Sequence, residues 1–305
     1  MAKSQTHQQM LVLKNFSKKA AGMRKHFSDV FKSAGHESRF KWDLWDVPGQ
    51  YHLLRSPATH FFPKNLIDPW MEELVLWGRK NLGCHSISPV WLSAYIDGCE
   101  QKLHVDKPHG PWAFVFSLSP KQIKFHGGNT LILKDEILDY WKPTKNQRNF
   151  EMSEIFHSIK PNFNQLLVFD GRIPHGVEAV SRAQSMNEAR LVLHGWFLPP
   201  RPFIEGNRDP ATVESFLDSM LSEMKNQELF NFPVSGFLCF RFFVSEKGQV
   251  SKVKLLSNTL RATGEWHKRL EFDQLDCTAL ISQRKFASTK SDRKGSWITL
   301  PIEIG

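Results

Sequence analysis

The chain has 305 residues, 41% of them hydrophobic and 23% charged, with 24 Phe and 10 Trp; this excludes a disordered chain and allows either one enlarged domain or a catalytic domain with a small second module. No apolar run approaches the ~18 residues of a membrane span, and Cys84, Cys99, Cys239 and Cys277 are too scattered for a CxxC zinc pattern or a disulfide framework. The formal charge of +9 permits a polyanionic partner but bears on solubility and encounter rather than fold; the cysteine usage fits a reducing, cytoplasmic compartment best.

From the N-terminus, residues 1–28 hold Lys3, Lys14, Lys18, Lys19, Arg24 and Lys25 and no acid, while Met10, Leu11, Leu13, Phe16, Ala20, Met23 and Phe27 recur at roughly helical intervals. A basic amphipathic helix is therefore expected within an N-terminal arm spanning 1–40. Its plain role is a solvated helix packed on the domain edge; organelle targeting and a membrane-surface role stay open. The aromatic stretch RFKWDLWDVPGQYHLLRSPATHFFP, with Pro48-Gly49 as a turn, suggests a strand or ordered edge segment. Asp68 and Pro69 resemble an N-cap and first helical residue for a helix to about Lys80.

Short β-like runs follow at 89–96, 112–118, 129–133, 164–170 and 189–197, separated by Gly, Pro and Asn turns, as in a sandwich or barrel. Residues 134–160 are mixed and polar, suggesting an insertion or crossover. The prolines of LPPRPFIEGNRDP (198–210) mark a boundary, giving a barrel domain over 41–205 and a module over 206–305. In the latter, Thr212–Lys225 reads as a helix with a stripe of Val213, Phe216, Leu217, Met220, Leu221 and Met224. Two strands joined around Lys247-Gly248 and a terminal strand complete a small α+β module.

An HxD triplet alone means little in a chain with 13 histidines. Context makes His104-Val105-Asp106 informative. On an extended strand His104 and Asp106 point to one face, and His175, in VFDGRIPHGVEAV, follows an apolar run at a strand end. Two histidines and one carboxylate form a facial triad that leaves positions open on non-haem Fe(II). Arg190 lies 15 residues beyond His175, and in period two it shares a face with Val192, His194 and Trp196. A guanidinium inside a barrel needs a carboxylate, and a dicarboxylate cosubstrate would supply one.

His104-Val105-Asp106, FHGGNTLIL (125–133), PHGV (174–177) and RLVLHGWF (190–197) resemble the motif series of the iron(II)- and 2-oxoglutarate-dependent dioxygenases, prolyl-hydroxylase-like branch. The resemblance covers about residues 85–200. It implies a mainly β fold, a double-stranded β-helix (jelly roll) flanked by helices, with His104, Asp106 and His175 as iron ligands and Arg190 anchoring 2-oxoglutarate. It also implies a pocket-lining role for Tyr95 and a cofactor-binding role for Thr130, although Asn129 stands where the family more often has an acidic residue. Fe(II), 2-oxoglutarate and O2 are the cofactor and cosubstrates expected. Related halogenases lack the carboxylate ligand, so the retained Asp106 points to hydroxylation of an unactivated C–H.

His109, His126 and His194 are assigned to substrate contact, ligand support or packing, Trp112, Phe114, Phe116 and Leu118 to the core, and Asp170 to a turn. A protein or peptide side chain or an amino acid is the expected substrate. Nucleic-acid demethylation ranks lower, because RLVLHGWF lacks the second arginine of the superfamily's nucleic-acid dealkylases. A catalytically silent metal- or ligand-binding jelly roll is the rival from another class. The stretch FRFFVSEKGQVSKVKLLSNTL with ITLPIEI loosely resembles a TonB-type C-terminal domain, which would recruit a peptide by β-addition; packing or homodimerisation are its plainer roles. No HExxH helix supports metal hydrolase chemistry.

Overall fold

The computed structural model describes residues 10–32, 42–106, 109–134, 155–262, 266–288 and 290–305. In chain order the elements are β1 (Met10–Lys14), α1 (Ala20–Lys32), β2 (Asp43–Val47), β3 (Tyr51–Pro57), α2 (Ala58–Phe61), α3 (Lys64–Asn81), β4 (Cys84–Ile87), β5 (Trp91–Tyr95) and β6 (Glu100–His104). They continue with β7 (Trp112–Ser117), β8 (Thr130–Leu133), β9 (Phe156–Ile159), β10 (Gln165–Asp170), β11 (His175–Val177), β12 (Arg190–Pro200) and β13 (Phe203–Glu205). Last come α4 (Pro210–Asn226), β14 (Val234–Val244), β15 (Val250–Asn258), β16 (Arg261–Ala262), α5 (His267–Gln283) and β17 (Ser296–Ile304). Two units result, one of residues 10–74 and 87–198, the other including 75–86 and 199–305.

The first unit is a jelly roll. Its antiparallel sheet runs β1-β10-β7-β12-β5-β3-β6-β11-β8-β9, and β3 makes the bend, pairing with β5 through Leu54–Pro57 and with β6 through Tyr51 and His52. Tyr95 and Val192 from one side of that bend share an interior cluster with Val177 from the other and with Leu53 and Phe125. The opposite face of β7 carries Trp112, Phe114 and Phe116, all buried. Trp70 of α3 lies 5.2 Å from Phe116 and 6.4 Å from Phe114. Each of these Phe side chains contributes about 1.5–3 kcal/mol by burial.

Two sequence expectations change here. Met10–Lys14 is not the start of a basic helix but strand β1, paired with the wholly buried β10. A short apolar run can extend that sheet edge, and Asn15, at φ 53°, turns the chain before helix α1. The helix then buries Ala20, Met23 and Phe27, and Arg24 donates to the carbonyls of Leu118 and Asn187. Helix α3 starts at Lys64 rather than Pro69, the amides of Leu66 and Ile67 donating to the Pro63 carbonyl. Pro69 sits inside it, giving up one backbone bond, while Ile67 and Trp70 bury fully beside it. Of the expected 134–160 crossover, residues 135–154 lie outside the described residues, and 156–159 form β9.

The second unit stacks helices α4 and α5 on a sheet ordered β13-β17-β14-β15, with β16 also on β14. Asp209 caps α4 by accepting from the Ala211 amide at 3.3 Å, with Pro210 at the first helical position. Val213, Phe216, Met220 and Met224 bury as expected, whereas Leu221 is exposed. All four cysteines are free and buried. Among the described residues no helix is long and apolar enough to cross a membrane.

Candidate metal centre

His104 closes β6 and His175 opens β11, and the two are direct partners across the ladder. Asp106 lies just beyond the strand rather than on it, its amide donating to the Gly171 carbonyl at 2.7 Å. The three side chains converge, with one ligand atom from each within 4.8 Å of the others. His175 Nε2 is 3.1 Å from Asp106 Oδ2 and His104 Nε2 is 3.6 Å from Asp106 Oδ1. Val105, between them, points to solvent.

Both imidazoles are oriented from behind. His104 Nδ1 lies 2.8 Å from the Lys102 carbonyl and His175 Nδ1 2.8 Å from the Ile173 carbonyl. A carbonyl only accepts, so each Nδ1 carries the proton and each Nε2 presents a lone pair to the centre. Two lone pairs facing a carboxylate repel unless a cation lies among them. Burial, and next the neighbouring His175, hold the His104 pKa below its ordinary value. Burial acts to raise the pKa of Asp106, against which the Trp196 indole N–H, donating to Oδ2, favours the carboxylate. Neutral imidazoles and a carboxylate are the forms that bind a metal.

Arg190 is 1% exposed. Its Nη2 donates to Thr130 Oγ1 at 3.0 Å, and its guanidinium lies 4.5 Å from the Tyr95 ring centroid. Its Nε and Nη1 are buried without a hydrogen-bond partner, and among the described residues no carboxylate pairs with it. The backbone is brought close by Gly128, at φ 71°, where an added Cβ would meet Arg190 Cδ at 3.2 Å. A buried, unpaired guanidinium beside an N,N,O donor set is what Fe(II) and a dicarboxylate would satisfy, so the residues fit that cofactor pair.

The remaining sequence candidates separate clearly. Asp170, expected in a turn, instead closes β10 opposite Trp112, fully buried and held by Arg172 in a two-pronged contact of 2.6 and 2.9 Å. His194 Nε2 meets Ser93 Oγ at 2.8 Å, and burial pushes its pKa down to about 4. His109 stacks on Trp196 at 4.4 Å. His126 is exposed and only its backbone pairs, with Ser181. Two contacts escaped the sequence. The Trp196 indole N–H donates to Asp106 Oδ2 at 3.0 Å, and Gln101 joins the Tyr95 hydroxyl, 3.1 Å away, to His104 Nε2 at 3.2 Å. The period of the strand places Trp196 on the correct face, whereas Gln101 carries no such signal.

Residues 90–198 match the family model described as the 2OG-Fe(II) oxygenase superfamily. No curated protein sequence matches the chain. Among solved structures, a Pseudomonas putida prolyl-4-hydroxylase is similar at 17% identity and TM-score 0.44, covering 63% of this chain and 92% of its own. A Trichoplax adhaerens prolyl hydroxylase, solved with a hypoxia inducible factor peptide, is similar at 14% and 0.41, covering 62% and 83%. The alpha ketoglutarate dependent epimerase SnoN from nogalamycin biosynthesis is similar at 10% and 0.42, covering 63% and 79%. The likeness of the C-terminal module to TonB-type domains finds no support in these comparisons.

Proposed function

From the match of residues 90–198 to the 2OG-Fe(II) oxygenase superfamily model, we propose that the protein hydroxylates an unactivated C–H bond of an amino acid or of a protein or peptide side chain. One observation carries the reading: a convergent His-Asp-His set stands near a fully buried arginine that lacks a carboxylate partner. His104, Asp106 and His175 would hold the metal, and Arg190, flanked by Thr130 and Tyr95, would hold the far carboxylate of 2-oxoglutarate. When bound, Fe(II) and 2-oxoglutarate supply the O2 chemistry that C–H oxidation needs.

The chain's own residues supply geometry. The Lys102 and Ile173 carbonyls fix the imidazole tautomers, and the Trp196 indole fixes one carboxylate oxygen of Asp106. Gln101 links the Tyr95 hydroxyl to His104 Nε2, and would give up the second contact when that nitrogen takes a metal. Tyr95 and Val192 close the interior against water.

Anaerobic titration of the Fe(II)-loaded protein with 2-oxoglutarate tests this. A visible metal-to-ligand charge-transfer band is expected, and Asp106→Ala should lose it. Folded, iron-bound wild type without the band would overturn the oxygenase reading in favour of a jelly roll that binds metal without turnover.

A further inference from the structure

A second arginine faces the barrel interior. Arg55 lies on β3 in period two with Leu53, which belongs to the interior cluster. Across the ladder it meets Ser93, the residue that contacts His194. Its guanidinium carbon is 3.5 Å from the Trp45 ring centroid and 4.3 Å from that of Trp91, so the group packs against two indoles. Trp45 stacks on Tyr51 at 4.8 Å, and Tyr51 meets His104 edge-on at 5.5 Å. One ring, Tyr51, thus lies between the clamp and a metal-centre histidine.

Arg55 is separate from the Arg190 pocket. Arg190 pairs with Tyr95 on β5, whereas Arg55 lies beside Ser93 and Trp91. Along β5, Ser93 opposite Arg55 is two residues, about 7 Å, from Tyr95 opposite Arg190. His194 lies within the fields of both arginines and of Asp106 and His104.

The guanidinium of Arg55 forms no hydrogen bond or ion pair among the described residues, and its Nε is buried without a partner. Asp43, opposite it in the hairpin, acts on it only through its charge. The two indoles pack against the guanidinium, and its two Nη groups stay open to solvent and free of protein partners among the described residues. An orphaned buried donor is unfavourable until a ligand satisfies it, and the geometry of the fork matches a planar carboxylate.

We infer that Arg55, clamped by Trp45 and Trp91, binds a carboxylate of the primary substrate, which is therefore an acidic molecule or a peptide presenting a carboxylate at the metal centre. This rests on the oxygenase reading for what happens next, but not for the binding itself. The carboxylate could be a chain terminus or an acidic side chain; the fork serves both.

The test uses the full chain with Fe(II) and saturating 2-oxoglutarate under anaerobic conditions, so that Arg190 is occupied. N-acetyl-L-phenylalanine is compared with its amide for a terminal carboxylate, and N-acetyl-L-glutamate α-amide with N-acetyl-L-glutamine amide for a side-chain one, by calorimetry. At least one acid should bind about tenfold or more tighter than its amide, and the preference should vanish in Arg55→Met and partly return in Arg55→Lys. Equal binding of acids and amides, binding of neither, or a preference that survives Arg55→Met overturns the inference. Should Arg55→Met fail to fold, Arg55→Lys decides: a point charge should weaken the preference, and an unchanged ratio overturns the fork. The wild-type charge-transfer band, read in the same sample, judges the oxygenase reading separately.

Discussion

Arg190 sets a stability cost against a binding role. Its guanidinium is fully buried with two nitrogens unsatisfied, and burial lowers its pKa because the charged form has lost water without gaining a carboxylate. Replacing an uncompensated buried charge by an apolar side chain of similar length is commonly neutral or stabilising. Arg190→Met should therefore leave or raise the Tm of the protein without ligand, while costing about 2–5 kcal/mol of 2-oxoglutarate affinity, a roughly 30-fold or greater rise in the apparent requirement. The Fe(II) requirement should change far less. Calorimetric Tm and the two concentration dependences check this. If Tm falls steeply and both requirements rise together, Arg190 is a structural residue. The same balance explains why this arginine was readable in the sequence: a guanidinium in period two with Val192, on a strand that has to be interior, demands a partner the chain does not provide.

At the scale of elements, a β-bulge builds the centre. His175 pairs with His104 but Val177 pairs with Gln101, so two steps along β11 face three steps along β6 and the register shifts between them. The extra residue brings Gln101, at an odd spacing, to the side of the sheet where His104 lies. Strict alternation would put the two on opposite faces, which is why Gln101 was invisible to the sequence while His104 and Asp106 were not. Long apolar strands such as β10 and β12 declare themselves by composition; β6 and β11 are short, polar and held by pairing, so their ladder could not be read from residues alone. Gly176 makes the bulge possible. A Cβ there would meet the Gln101 carbonyl oxygen at 2.7 Å and Lys102 backbone atoms at 3.2 Å, so the constraint is close approach rather than backbone conformation. Gly176→Ala should push β6 away, costing about 1–3 kcal/mol of stability and weakening Fe(II) binding by separating the two histidines. Fe(II) affinity and Tm measured together decide it; unchanged Fe(II) affinity would show that the bulge does not position the ligands.

For the whole molecule, the chain boundary and the packing boundary differ. Proline density near 198–210 suggested a module beginning at 206, yet residues 75–86 group with 199–305. The contacts are specific. A Cβ on Gly83 would meet the Pro301 ring at 2.8 Å, Thr299 Oγ1 donates to the Lys80 carbonyl at 3.4 Å, and His85 Nε2 lies 3.0 Å from the Pro202 carbonyl. Glu205 joins Lys80 to Arg241, 2.6 Å from each, and Leu82 and Cys84 are 2% and 1% exposed. Burial pushes the Cys84 thiol up to about 12, the mark of an inert packing residue. A local sequence signal cannot disclose this, because the loop between α3 and β4 is placed by a strand more than two hundred residues later. Truncation after residue 205 would remove β17, the partner of β13, together with the surface that covers Leu82 and Cys84. The 1–205 fragment should therefore be insoluble or unfold without cooperativity, through exposed apolar surface and an unpaired strand edge. A soluble fragment with a sharp thermal transition would show that residues 75–86 fold without the C-terminal module. Adding 206–305 as a separate chain should then restore nothing, whereas if 75–86 depend on the C-terminal module, co-expression of the two pieces should recover soluble protein.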